Sequence, residues 1–152
     1  MRRVLDLGAV VLLLAMAGAA RAPRQLRLWQ ADIQIRTLEV LKTKSGMTAR
    51  VVVYTEHDDE ARDARLLVLL PVGVGIGRVA AGCAASASPS QVPSLRASVL
   101  CDLGAIPDGG TREVIITTSL PPQGFPKRFG VFAYSGTPDP VPGNNYAERI
   151  IP

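Results

Sequence analysis

Apolar and polar residues alternate with a period of two along most of this chain. Successive side chains of a strand point to opposite faces, so that period marks a half-buried β-strand. Ile33 and Ile35 alternate with polar neighbours; the phase then slips, and Leu38 and Val40 carry it on. The slip predicts a first strand with a bulge near Thr37. Val51 to Thr55 is β-branched or aromatic throughout and predicts a second strand from about Arg50. Arg65–Leu70 (RLLVLL) reads as a third, ended by Pro71, which has no N–H to give a ladder.

Gly73, Gly75 and Gly77 fall at every second position. No helical period follows them, so they predict a turn and an edge strand through Val79, not a phosphate cradle. Ala84–Ser94 (AASASPSQVPS) reads as a proline-bearing loop, and Val99, Cys101 and Leu103 resume the alternation. Asp108-Gly109-Gly110 is a turn, Glu113–Ser119 a strand, and Pro121 to Pro126 a rigid loop. Arg128–Tyr134 sets Phe129, Val131 and Ala133 against Phe132 and Tyr134. A turn-rich connection, Thr137–Asn145, leads to a last strand, Tyr146–Ile151.

Strands without helices must bury their apolar faces on each other. The pattern predicts an all-β chain, an immunoglobulin-like Greek-key β-sandwich of seven to eight strands over residues 31–152.

The N-terminus departs from this pattern. Arg2 and Arg3 precede an apolar stretch, Leu7–Ala17, and then small residues from Gly18 to Ala22. That order is the layout of a secretory signal peptide, assigned to residues 1–22, with a linker over 23–30. The apolar stretch falls short of the roughly 20 residues that a membrane-spanning helix needs. The cut falls after residue 19, 20 or 22. Charge changes with it. The chain carries 17 basic and 13 acidic residues; without Arg2, Arg3, Arg21 and Asp6 it carries 14 and 12, a net +2. So small a charge, spread along the chain, does not make the dense basic face that nucleic acid requires.

Two cysteines in an exported chain are expected to pair, so Cys83 and Cys101 are read as one disulfide. With one histidine and no CxxC they are too few ligands for structural zinc. The acidic run Glu56, Asp58, Asp59, Glu60 and Asp63 is the sharpest polar feature. Calcium takes six to eight oxygens, which loop carboxylates can supply, but Arg62 and Arg65 stand ready to pair with the run and the spacing is not that of an EF-hand. His57, the only histidine, neighbours carboxylates, but no GxSxG nucleophile elbow accompanies it. Trp29, Phe132 and Tyr134 are candidate aromatic contacts for a sugar or a partner protein. Asn144 and Asn145 offer amides that a ligand site could use, but they are read as bonding their own turn's backbone.

Three segments in order then resemble one family. Leu70-Pro71-Val72-Gly73 resembles an LPxG element after the third strand. Cys101-Asp102-Leu103-Gly104-Ala105-Ile106 with Gly109-Gly110 resembles a CxLGxL…G segment, and Thr137-Pro138-Asp139-Pro140 with Asn144-Asn145 a closing TPDPxxxNN turn. Over about Asp32–Ile151 the chain is similar to the DUF11 type of bacterial surface repeat, close to CARDB-like adhesion domains. Glu56-His57-Asp58-Asp59-Glu60 departs from that pattern. The resemblance implies an extracytoplasmic sandwich module and brings no catalytic residues. The expectation is thus a secreted or periplasmic, non-enzymatic structural or adhesive module of the cell envelope, without cofactor, facing a protein or an envelope polymer. The alternative is a calcium-dependent or aromatic-mediated domain that binds carbohydrate or another small ligand.

Overall fold

Strands fill most of the residues that the computed structural model describes, which are 28–56, 59–87, 95–121 and 128–151. The predicted signal peptide, residues 88–94 of the predicted 84–94 loop and most of the proline-rich loop lie outside them. The strands are β1 (Asp32–Lys42), β2 (Met47–Glu56), β3 (Ala61–Pro71), β4 (Ile76–Val79), β5 (Cys83–Ala87), β6 (Leu95–Ile106), β7 (Thr111–Thr118), β8 (Arg128–Tyr134) and β9 (Tyr146–Ile150). They form two antiparallel sheets, ordered β1-β2-β7-β4 and β5-β6-β3-β8-β9.

The neighbour order is that of an immunoglobulin constant-type sandwich. β1, β2, β7 and β4 take the places of strands A, B, E and D, and β3, β8 and β9 those of C, F and G. The β5–β6 hairpin is inserted between the D and E positions and adds itself to the free edge of β3.

β5 is the strand beyond the expected count. Its sequence, CAASA, has no β-branched or aromatic residue, and the pattern read it as loop. Pairing with β6 makes it a strand, from Cys83 opposite Cys101 to Ala87 opposite Ala97. β-propensity measures packing on neighbours more than a backbone preference, so a long partner strand overrides it.

The slip in β1 is a bulge: Ile35 pairs with Val53, but Thr37 already pairs with Val52. The extra residue, Arg36, restores the inward phase, so that Ile33 and Leu38 both reach the core. The inner faces interdigitate between the sheets. Val51, Val53, Val114 and Ile116 come from one side; Leu66, Val68, Leu70, Val99, Phe129 and Val131 come from the other. Burying each such side chain contributes about 1.5–3 kcal/mol.

Candidate functional site

Two regions stand out from the sandwich: one end of it, and the outer face of the larger sheet. The end is where the acidic run and the closing turn meet. Asp59 Oδ2 accepts the backbone N–H of Gln30 at 2.9 Å, and Glu56 Oε2 accepts from Gln34 Nε2 at 3.2 Å. Asp63 lies in the irregular start of β3 with φ +49°, a conformation that Asp adopts more readily than most residues. His57 and Asp58 lie outside the described residues. Among the described residues no three His, Cys, Asp or Glu side chains are grouped to hold a metal. The expected pairing of Arg62 with the run takes another form: its guanidinium stacks on the ring of Trp29, 4.6 Å from the centroid.

The segment from Thr137 to Asn145 folds back along the edge of β1. Pro138 O accepts the N–H of Ala31 at 3.1 Å, and Asp139 Oδ2 accepts that of Ile33, also at 3.1 Å. Asp139 Oδ1 takes the N–H of Val141 at 2.7 Å, an Asx-type turn, before the single 3-10 turn Pro142–Asn144. An open strand edge is thereby partly occupied by the chain itself. Asn144 corrects the sequence reading. Its Nδ2 donates at 2.9 Å to Oδ1 of Asp32, a residue 112 positions away and only 4% exposed, not to its own turn. Sequence spacing carries no signal for such a contact.

Thr137 ties this end together. Its Oγ1 donates to Glu60 O at 2.9 Å and accepts the N–H of Arg62 at 3.1 Å, in a buried setting. Thr137→Val keeps the shape and removes both bonds, leaving a carbonyl and an N–H short of a partner. The expected loss is about 2 kcal/mol, read as a lower urea midpoint with unchanged slope.

The outer face of the five-stranded sheet is the second region. Ala84, Leu100, Leu67, Phe132 and Tyr146 stand opposite one another across β5, β6, β3, β8 and β9. At about 4.8 Å per strand the row runs for about 19 Å. Phe132 and Tyr146 are 37% and 47% exposed, and Phe132 stacks on Tyr134 with ring centroids 5.8 Å apart. Arg65 faces Asp102 beyond one side of the row, and Arg128 pairs with Glu148 at 2.9 Å beyond the other. A shallow groove of about 350 Å³ lies among Arg65, Asp102, Leu100, Ala84 and Ser86. Gly130 lets the Tyr146 ring cross β8: a Cβ there would meet the Tyr146 hydroxyl at 3.3 Å. That hydroxyl donates to Glu148 Oε2 at 2.8 Å; burial first, then Glu148, push its pKa above the ordinary tyrosine value, so it stays a protonated donor. Sequence reading found Phe132 and Tyr134 but missed the row. Its signal was present in RLLVLL, which is apolar at both parities where a strand with one solvated face alternates.

The outer face of the other sheet is built differently. Arg50 holds Glu113 at 2.7 Å and Glu39 at 3.5 Å, and Arg36 lies over Tyr54.

Cys83 and Cys101 form the expected disulfide. It joins neighbouring strands within one sheet, unlike the inter-sheet bridge of antibody domains. Such bonds persist in oxidising compartments. Among the described residues no helix is long and apolar enough to cross a membrane. The chain matches no family model and no curated protein.

Proposed function

We propose that the chain is a non-enzymatic interaction module of the cell envelope that works outside the cytoplasmic membrane, in the manner of the DUF11 and CARDB-like repeats it resembles. The observation that carries this reading is the apolar row from Ala84 to Tyr146. The outer face of an antiparallel sheet is ordinarily polar, and the opposite sheet of this same chain shows that arrangement in Arg50, Glu39 and Glu113. A contiguous apolar strip flanked by paired charges is the anatomy of a contact surface: a dry centre, with a polar rim that sets register. The disulfide fits the extracytoplasmic setting.

The test is capture from envelope extracts by the purified, oxidised full chain, with cross-linking. Phe132→Lys places a charge within the row, between Leu67 and Tyr146, and Glu113→Lys serves as a control on the opposite face. Retention of an envelope protein should fall at least about tenfold with the first change and stay constant with the second; tenfold is about 1.4 kcal/mol of binding. Equal retention by both variants, or none by the wild type, sinks the proposal. The aromatic pair Phe132–Tyr134 favours a second reading, a sugar stacked on the same face. Retention of envelope polysaccharide in place of protein, lost in Phe132→Lys, would select it.

A further inference from the structure

The geometry points to a docking site on the edge of β1, beside Arg149, for an extended segment of a partner protein that is apolar and bears a carboxylate. β1 and β9 are edge strands, one of each sheet. Between them lies an open groove of about 330 Å³, lined by Leu38, Val40, Leu41, Ile150, Ile151 and Arg149. Leu41 and Ile150 are each 67% exposed there, so the walls of the groove offer apolar surface. In an antiparallel ladder, pairs that bond each other alternate with pairs whose N–H and C=O turn away. Thr43 N–H bonds Gly46 O at 2.8 Å across the β1–β2 turn, which fixes the phase. Counted back from there, the N–H and C=O groups of Lys42, Val40 and Leu38 turn to the open edge. Leu38 agrees, since its C=O accepts from Arg149 Nε at 3.2 Å.

The chain itself shows what this edge accepts. At the start of β1, one passing segment serves it with a carbonyl and a carboxylate: Pro138 O takes the N–H of Ala31, and Asp139 that of Ile33. At Val40, among the described residues, no such segment lies on the edge. Arg149 selects the charge of the occupant. Its Nε is spent on Leu38 O, which leaves the two terminal NH2 groups, and among the described residues no carboxylate pairs with them. Glu39 also lines the groove, but Arg50 holds it at 3.5 Å, and it alternates to the other face of β1 from Leu38 and Val40. A guanidinium beside apolar walls suits a carboxylate carried on an apolar strand. Main-chain bonds at Val40 supply affinity, while the groove and Arg149 select the sequence. A second copy of the chain fits less well. Antiparallel pairing about Val40 would set Leu38, and the Arg149 bonded to it, opposite Lys42 of the second copy, cation against cation.

The test titrates the purified, oxidised full chain into a fluorescein-labelled, amidated peptide of alternating threonine and valine with glutamate at one central valine position, read by anisotropy. The same peptide with glutamine in place of glutamate should bind at least about tenfold more weakly, because a charged hydrogen-bonded contact is lost. Arg149→Glu should lose the glutamate peptide by a similar factor and prefer a lysine version of it, a reversal that misfolding does not produce. Amide hydrogen exchange at Val40 should slow when the glutamate peptide is bound, which places it on this edge. No anisotropy change with the wild type would overturn the site and leave Arg149 as a charge that guards an edge strand. Binding indifferent to the charge at position 149, or a Val40 amide that exchanges as before under bound peptide, would overturn it too. A wild-type dimer that protects the Val40 amide without any peptide would overturn the choice of occupant.

Discussion

Phe129→Ala should lower the stability of the sandwich by about 4 kcal/mol, the largest loss expected of any single change here. Among the described residues Phe129 is the largest fully buried side chain, and it points inward from β8, between β3 and β9. Alanine forfeits the transfer free energy of the ring and leaves a hole between two sheets whose spacing is set by many other side chains, so collapse is incomplete. Against a typical total of 5–15 kcal/mol, that is a large share. Urea unfolding checks it: the midpoint falls while the slope holds. Phe129→Leu fills most of the volume and should cost only about 1.5 kcal/mol. A loss below about 1 kcal/mol for the alanine variant would mean that the packing around β8 is not as described.

The second large effect belongs to the disulfide. Cys83 and Cys101 are 18 residues apart, and closing a ring of that size removes enough freedom from the unfolded chain to stabilise the fold by about 3 kcal/mol. Replacing both with alanine tests this without burying a hydroxyl at position 101, which is fully enclosed. The urea midpoint should fall, and the oxidised wild type should show no thiol to alkylating agents until it is unfolded and reduced. Equal stability of the oxidised and reduced chains would refute the assignment of stability to this bond. The loss should also be uneven: β5, which among the described strands pairs with β6 alone, should exchange its amide hydrogens fastest once the bond is gone.

Much of the sandwich was legible in the sequence because its causes are local. The alternation of Phe129, Val131 and Ala133 against Phe132 and Tyr134 appears as read, over the same bounds, Arg128–Tyr134. The slip after Ile35 was legible because a bulge is itself a change of phase. β5 was not, because alanine and serine carry little strand signal and its cause is a neighbour across the sheet. The end of the sandwich lies between these cases. Asp59, Asp139, Asn144 and Asn145 each stood out as turn or acidic residues, but the bonds that join the segments span 29, 106 and 112 positions. The apolar row was half legible. Its rings could be named, but that Leu100, Leu67, Phe132 and Tyr146 form one line follows from register alone.

Gly130 gives that row a further property. It lies between Leu69 and Glu148 across the sheet and contributes no side chain to the face, yet the Tyr146 ring rests across it. Any larger residue would have to lift the ring and strain its bond to Glu148, which also holds Arg128. The contour that a partner meets at Tyr146 and Glu148 is therefore set from beneath, by a position that the partner does not need to touch. Divergence of this surface among related chains need not begin at its exposed residues: exchange of one hydrogen for a methyl group at position 130 would displace the Tyr146 hydroxyl by a few tenths of an ångström while every contacting side chain kept its identity.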